Sequence, residues 1–293
     1  NHTLLRDHLE LNYPSLDALK TNMGAMRLKI NLKNSRVGFQ DILVFVPDLR
    51  EQEFFRQHQH GQLRLDADIQ GYLNDIRIRK FNLSGLTHTE VALNGWLKGL
   101  PDADRLSYEL ELQRVQSTSE DLSALLPDSL RQQIRLPDAF GISGTIAGTV
   151  KDYNTSLAVM TTDGNAFMRG SLHMSPGEGR ERYDLLLRTD RLNLGHILRQ
   201  DSVIGRVSAR FSVKGESFDV KTMTAALRGS IHSAEFKGYE YSGIRMRGKM
   251  KEGEGEFRLT SEDPNAYLSL DAQANLRDSF PAIVADLKID SID

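Results

Sequence analysis

Apolar and polar residues alternate strictly over long stretches of this chain. Between Gly61 and Gly71 the apolar set is Leu63, Leu65, Ala67 and Ile69, and Gln62, Arg64, Asp66, Asp68 and Gln70 fill the positions between. The rhythm returns at Ile142, Gly144, Ile146, Gly148 and Val150, at Val207, Ala209, Phe211 and Val213, and at Ala266, Leu268, Leu270, Ala272 and Ala274. A period of two is that of a β-strand with one apolar face and one wet face. The pattern predicts strands over about 26–32, 61–71, 75–83, 89–97, 104–115, 140–150, 154–161, 165–175, 181–190, 202–215, 218–227, 229–237, 240–251, 254–260, 265–276 and 282–290.

The period changes in a few places. Ser117-Thr118-Ser119-Glu120-Asp121 supplies a helix start, and Leu122, Leu125, Leu126 and Leu130 follow at helical spacing, with Pro127 dividing two short pieces. Leu192–Arg199 reads as another short helix. Val37–Val46 reads as a strand leading through Pro47 into a short helix over Leu49–Gln57. Thr3 to about Lys20 reads as a short helix or irregular lead-in broken at Tyr13-Pro14. Gly177–Glu181 and Lys251–Gly255 read as hairpin tips.

Gly-punctuated strands open at 61, 141 and 205, spacings of 80 and 64 residues, which suggests a loose structural repeat. The expected organisation is a lead-in over 1–25 and a repetitive β region over 26–293, in approximate repeats 26–135, 136–201 and 202–293, as a fragment of a longer protein. Small residues crowd the apolar set and aromatics are scarce at 7%. A sandwich core interdigitates bulky side chains, whereas interior glycines let a strand bend. The fold class expected is therefore all-β with a few short helices: an elongated, strongly curved antiparallel sheet forming a U-shaped apolar groove. A closed, dry core built from the same residues stands as the alternative.

Composition narrows the function. At 26% charged and 39% hydrophobic the chain is a folded protein. The 37 basic and 40 acidic residues are well mixed, which excludes the footprint of a nucleic-acid binder. Arg245, Arg247, Lys249 and Lys251 read as the solvated face of a strand whose other side is Ile244, Met246, Gly248 and Met250. There are no cysteines, hence no disulfides or thiolate chemistry. No apolar run approaches the ~18 residues of a membrane span.

Catalytic chemistry is not evident. His58 and His60 would share a strand face if extended, but no third metal ligand accompanies them. Asp66 and Asp68 occupy the wet side of their strand, Gly144–Gly148 lacks the Lys-Ser/Thr of a phosphate loop, and no nucleophile elbow occurs. Trp96 beside Gly95 reads as a sheet-packing aromatic. The chain is expected to be no enzyme and to need no cofactor and no metal.

Several elements together resemble one family: Asp41-Ile42-Leu43-Val44-Phe45-Val46-Pro47-Asp48-Leu49, the Gly-x-Leu-x-Leu-x-Ala-x-Ile-x-Gly-x-Leu strand at 61–73, Asp75-Ile76-Arg77-Ile78, Thr87–Leu100, Ser117–Leu122, Leu136-Pro137 and Gly144–Gly148. The chain resembles the AsmA-like and TamB-like proteins of Gram-negative envelopes, in the style of Bacteroidetes members, from about residue 26 onward. The resemblance implies a periplasmic protein tied to the inner membrane by an N-terminal helix. It implies a groove bridging toward the outer membrane, phospholipid or other acyl chains as cargo, and an Omp85-type barrel protein as partner.

Acyl-chain burial provides the energy for such a role at about 0.8 kcal/mol per CH₂, roughly 10 kcal/mol for a 16-carbon chain before the costs of binding. The candidate lining residues are Leu63, Leu65, Ile69, Ile142, Ile146, Val150, Val207, Phe211, Val213, Leu268 and Leu270. The alternative role is a structural module that pairs a sheet edge with partner strands of outer-membrane assembly proteins.

Overall fold

The computed structural model describes residues 3–15, 21–45, 51–174, 181–277 and 282–292. The expected tip at 177–180 and the segment 46–50 lie outside them. The chain forms one 16-stranded sheet whose strands follow in sequence order. It divides into two compact units, Asn1–Val150 with Val159–Thr162, and Lys151–Ala158 with Asp163–Asp293.

In the first unit, β1 (Asp7–Asn12), β2 (Arg27–Gly38), β3 (Gln62–Tyr72), β4 (Asp75–Gly85), β5 (Thr89–Lys98), β6 (Ser107–Thr118) and β7 (Ala139–Thr149) pair antiparallel, each with the next. Helical segments follow β2, namely α1 (Phe39–Phe45) and α2 (Glu53–Gln57), and follow β6, namely α3 (Ser119–Leu122) and α4 (Asp128–Gln133). The Thr118 hydroxyl caps α3 by accepting the Asp121 N–H at 3.3 Å, and Pro127 stands at the start of α4.

β8 (Asp152–Thr161) contributes to both units. In the second, β9 (Gly164–His173), β10 (Arg182–Asn193), β11 (Ile204–Glu216), β12 (Thr224–Phe236), β13 (Tyr239–Lys251), β14 (Glu254–Asp263), β15 (Ala266–Asn275) and β16 (Ala282–Ile292) pair antiparallel in order. One five-residue helix, α5 (Leu194–Leu198), follows β10; the Asn193 side chain caps it by accepting the His196 N–H at 3.2 Å.

Three expectations need correction. The lead-in holds a strand: β1 pairs with β2, placing Leu9 opposite Ile30 and Leu11 opposite Leu28. The apolar run at Phe39–Phe45 is a helix, not a strand. Its Phe39 N–H reaches the Gly61 carbonyl (3.2 Å), and its ring packs edge-on to Phe54 and Phe55 of α2, so aromatic packing overrides the β-branched composition. The segments 218–227 and 229–237 are not two strands, because β12 runs unbroken through Gly229.

Bulges keep the apolar face continuous where sequence alternation fails. The register shifts between Leu32 and Ser35, between Ile78 and Phe81, between Leu112 and Val115, and between Thr189 and Leu192. In each case two consecutive polar residues occupy the gap, such as Arg79-Lys80 or Asp190-Arg191. The extra residue of a bulge absorbs them and returns the next apolar side chain to the same face.

Core burial is concentrated. Leu28, Ile76 and Ile78 form the center of a cluster packed by Met26, Leu73, Phe81 and Leu100 among others. Other buried apolar residues among those described are Leu32, Phe39, Leu43, Phe54 and Ala67 in the first unit and Val207, Ala209 and Ala266 in the second.

Candidate functional site

The cross-strand register assembles the apolar positions into rows. In the first unit one row runs Leu9, Ile30, Ile69, Ile78, Gly95, Leu110 and Ile146 from β1 to β7. A neighbouring row holds Leu65, Leu83, Val91, Val115 and Ile142, and Leu63 lies beyond it opposite Val37 and Gly85. In the second unit one row runs Met168, Leu187, Phe211, Gly229, Met246, Leu259, Leu270 and Leu287 from β9 to β16. Beside it run Leu185, Val213, Leu227, Gly248, Phe257 and Ala272, and on the other side Ala209, Ile231, Ile244, Ser261, Leu268 and Ile289.

Ten of the eleven candidate lining residues therefore fall on these faces, five in each unit: Leu63, Leu65, Ile69, Ile142 and Ile146, and Val207, Phe211, Val213, Leu268 and Leu270. Val150 does not belong with them. β7 ends at Thr149, and Val150 stands in the bend after it, 55% exposed.

The glycines make room within the face. A Cβ at Gly229 would approach Met246 Cγ to 2.6 Å and Phe211 Cδ1 to 2.8 Å, so two large side chains lean over this position from the flanking strands. At Gly95, with φ +144°, a Cβ would meet the Glu109 carbonyl oxygen at 2.0 Å, and only glycine permits that approach of β5 to β6.

Most of this surface is half-buried. In the second unit, the fully buried apolar residues among those described are Val207, Ala209 and Ala266. At β16 the face opens to solvent, with Leu287 at 56% and Ile289 at 50% exposure.

Buried carboxylates stitch the strand ends. Asp121 in α3 accepts the Thr87 and His88 N–H groups (3.1 and 2.8 Å) and the Thr89 hydroxyl (2.8 Å), pinning the turn between β4 and β5. Burial alone would raise its pKa, but these hydrogen bonds outweigh it and hold the carboxyl below its usual range. Asp263 at the end of β14 accepts the Ser242 N–H and hydroxyl (2.7 and 3.1 Å), the Asn265 N–H (2.9 Å) and the Tyr239 hydroxyl (3.2 Å). Here too the donors overcome burial and lower the pKa. Asp163 meets His196 Nδ1 of α5 at 2.7 Å. The sequence marks Asp121 only as an early acid of a helix start, and for Asp163 and Asp263 it offers no signal beyond an Asp at a strand end or turn.

The residues weighed for catalysis or metal are placed as follows. His58 lies in a turn after α2, its Nδ1 2.8 Å from the Phe54 carbonyl and its ring 4.6 Å from the Phe54 ring. Asp66 accepts the Asn34 N–H at 2.6 Å, and Asp68 faces Arg79. Trp96 donates from Nε1 to Glu109 (3.1 Å) with Lys98 over its ring. Among the described residues no group of three or more His, Asp or Glu is placed to hold a metal, and no helix is long and apolar enough to cross a membrane. No family model, curated protein or solved structure matches the chain.

Proposed function

We propose that the apolar face of the sheet binds acyl chains, and that the protein is a lipid-binding, bridging scaffold of a Gram-negative envelope. One observation carries this reading: a row of apolar residues and one glycine runs across the eight strands β9–β16 of the second unit, and its side chains stay partly exposed. An apolar surface of this kind is stabilised by a non-polar partner. Rows without a convergent polar anchor suit hydrocarbon, which needs none and can occupy many equivalent positions. The resemblance to AsmA-like and TamB-like proteins supports the same reading. On it, the sheet curves into a U-shaped groove of loose repeats, with α1–α2, α3–α4 and α5 recurring every fourth strand. The protein then works in the periplasm, anchored at the inner membrane, and supports phospholipid transport and outer-membrane assembly beside an Omp85-type barrel.

Mass spectrometry of the chain purified under native conditions tests this. Co-purifying phospholipid and saturable uptake of a fluorescent fatty acid are expected. Well-folded, lipid-free protein with no uptake contradicts it.

A second reading draws on the outer strand β16. This eleven-residue strand contains no proline, and residues 282–289, ahead of the bulge at Asp290, pair regularly with β15 and carry only Asp286 and Lys288 as charges. Crosslinks from a partner strand that map to β16 and spare the apolar rows favour this interaction module.

A further inference from the structure

The polar face of the second unit carries a concentration of charge that the balanced composition hides. Rows of the sheet place Arg188 opposite Arg210, and Arg228 opposite Arg247, which is itself opposite Arg258. Lys214, Lys249 and Lys251 lie on the same face of β11 and β13. Over residues 210–216, 224–230 and 245–251 the polar positions hold seven basic residues against one acid, Glu216, although the chain as a whole is −3.

Like charges directly opposite one another on adjacent strands are destabilising. Strands about 4.8 Å apart hold these guanidinium groups close together. Neighbouring acids relieve part of the repulsion: Arg258 is bonded to Asp271, Arg245 is held by Glu262 at 2.9 and 3.1 Å, Lys214 lies 3.4 Å from Asp184, and Glu256 and Glu254 stand opposite Lys249 and Lys251. Arg210, Arg228 and Arg247 make no such pair among the described residues and are exposed. A strand surface that needed only solubility would intersperse its charges. This one keeps a block of three arginines, Arg210, Arg228 and Arg247, without a carboxylate partner among the described residues, on the face opposite the apolar rows.

We propose that this block docks the second unit onto an anionic phospholipid surface. The choice of a lipid surface rests on the acyl-chain reading of the opposite face, and the anionic headgroups of a phospholipid surface supply the phosphates that these arginines suit. Guanidinium groups in a row suit phosphate oxygens.

The test is flotation of the full chain with vesicles of mixed phosphatidylglycerol and phosphatidylcholine. Pure phosphatidylcholine vesicles and soluble polyglutamate are the comparisons. Binding to the anionic vesicles is expected, falling as salt screens the charges. The triple variant R210Q/R228Q/R247Q should melt no lower than the parent, since it relieves like-charge repulsion, and lose about a hundredfold in affinity, about fivefold for each cation. Unchanged binding by that variant overturns the proposal. So does equal binding to neutral vesicles, or capture by polyglutamate in place of vesicles. L270D, on the other face, keeps the two readings apart: it should abolish fatty-acid uptake and leave vesicle docking intact. Absent uptake in the parent chain, with docking that still depends on the arginines, sinks the acyl-chain reading alone.

Discussion

The two units carry the same kind of apolar rows and cover them differently. In the first, the segments between strands bring bulk of their own. Phe39, Leu43 and Phe54 of α1 and α2 are buried at the ends of β2 and β3, and Met26, Leu73 and Leu100 pack the Leu28–Ile76–Ile78 cluster. In the second, the apolar residues of the described connections stay largely outside: Leu198, Phe218 and Val220 are exposed, and Phe211, Leu227, Met246 and Leu270 remain half-exposed. Strand pattern alone thus does not decide whether a sheet face becomes core. What the connections bury against the sheet contributes as well: Phe39, Leu43 and Phe54 are buried in the first unit, whereas Leu198, Phe218 and Val220 are exposed in the second.

Truncation separates the two units most strongly. Phe54→Ala should cost about 3–5 kcal/mol in denaturant unfolding, because the ring is buried and its neighbours leave a cavity. Phe211→Ala in the second unit should cost only about 1 kcal/mol, since its half-exposed ring gains less from burial, yet it should weaken fatty-acid uptake. Equal losses at the two sites would erase the distinction.

The next effect is the carboxylate at the end of β14. Asp263→Ala leaves four donors from Ser242, Asn265 and Tyr239 without their acceptor and should cost about 2–4 kcal/mol. The folded-state pKa values of Asp263 and Asp121 are depressed. Their contribution is therefore fully present above the ordinary carboxylate pKa and is lost as pH falls through the lower, folded value. Melting temperatures should drop across that acidic window, and D263N should flatten part of the drop. The smallest effect is expected at the exposed Arg245–Glu262 pair, where Arg245→Ala should change stability by less than about 1 kcal/mol.

Much of the sheet was legible because its strands bury one face only, and period two is then written directly into the residues. The strand at 61–71 and the pair of helical pieces divided at Pro127 came through nearly as expected. The failures have physical causes. β1 offers only Leu9 and Leu11 as alternating apolar residues, too short a signal without its partner β2. Ile42, Leu43 and Val44 have strand-like composition, and only the distant α2 aromatics make them helical. The sequence does not show that β12 continues through Gly229, because the Phe211 ring that packs over this glycine lies on another strand. The basic run Arg245, Arg247, Lys249 and Lys251 reads from the sequence as a solvated strand face, but its alignment with Arg228 does not, since Arg228 and Arg247 become neighbours only through register.

Leu270 and Asp271 are adjacent in β15, and their side chains occupy opposite faces of the sheet. A photo-crosslinking amino acid placed at each position in turn, with the protein kept in the presence of phospholipid and irradiated, tests the apolar rows directly. Hydrocarbon adducts at 270 and none at 271 are the predicted result. No adduct at 270, or equal acyl labelling at both positions, would contradict an acyl-binding face.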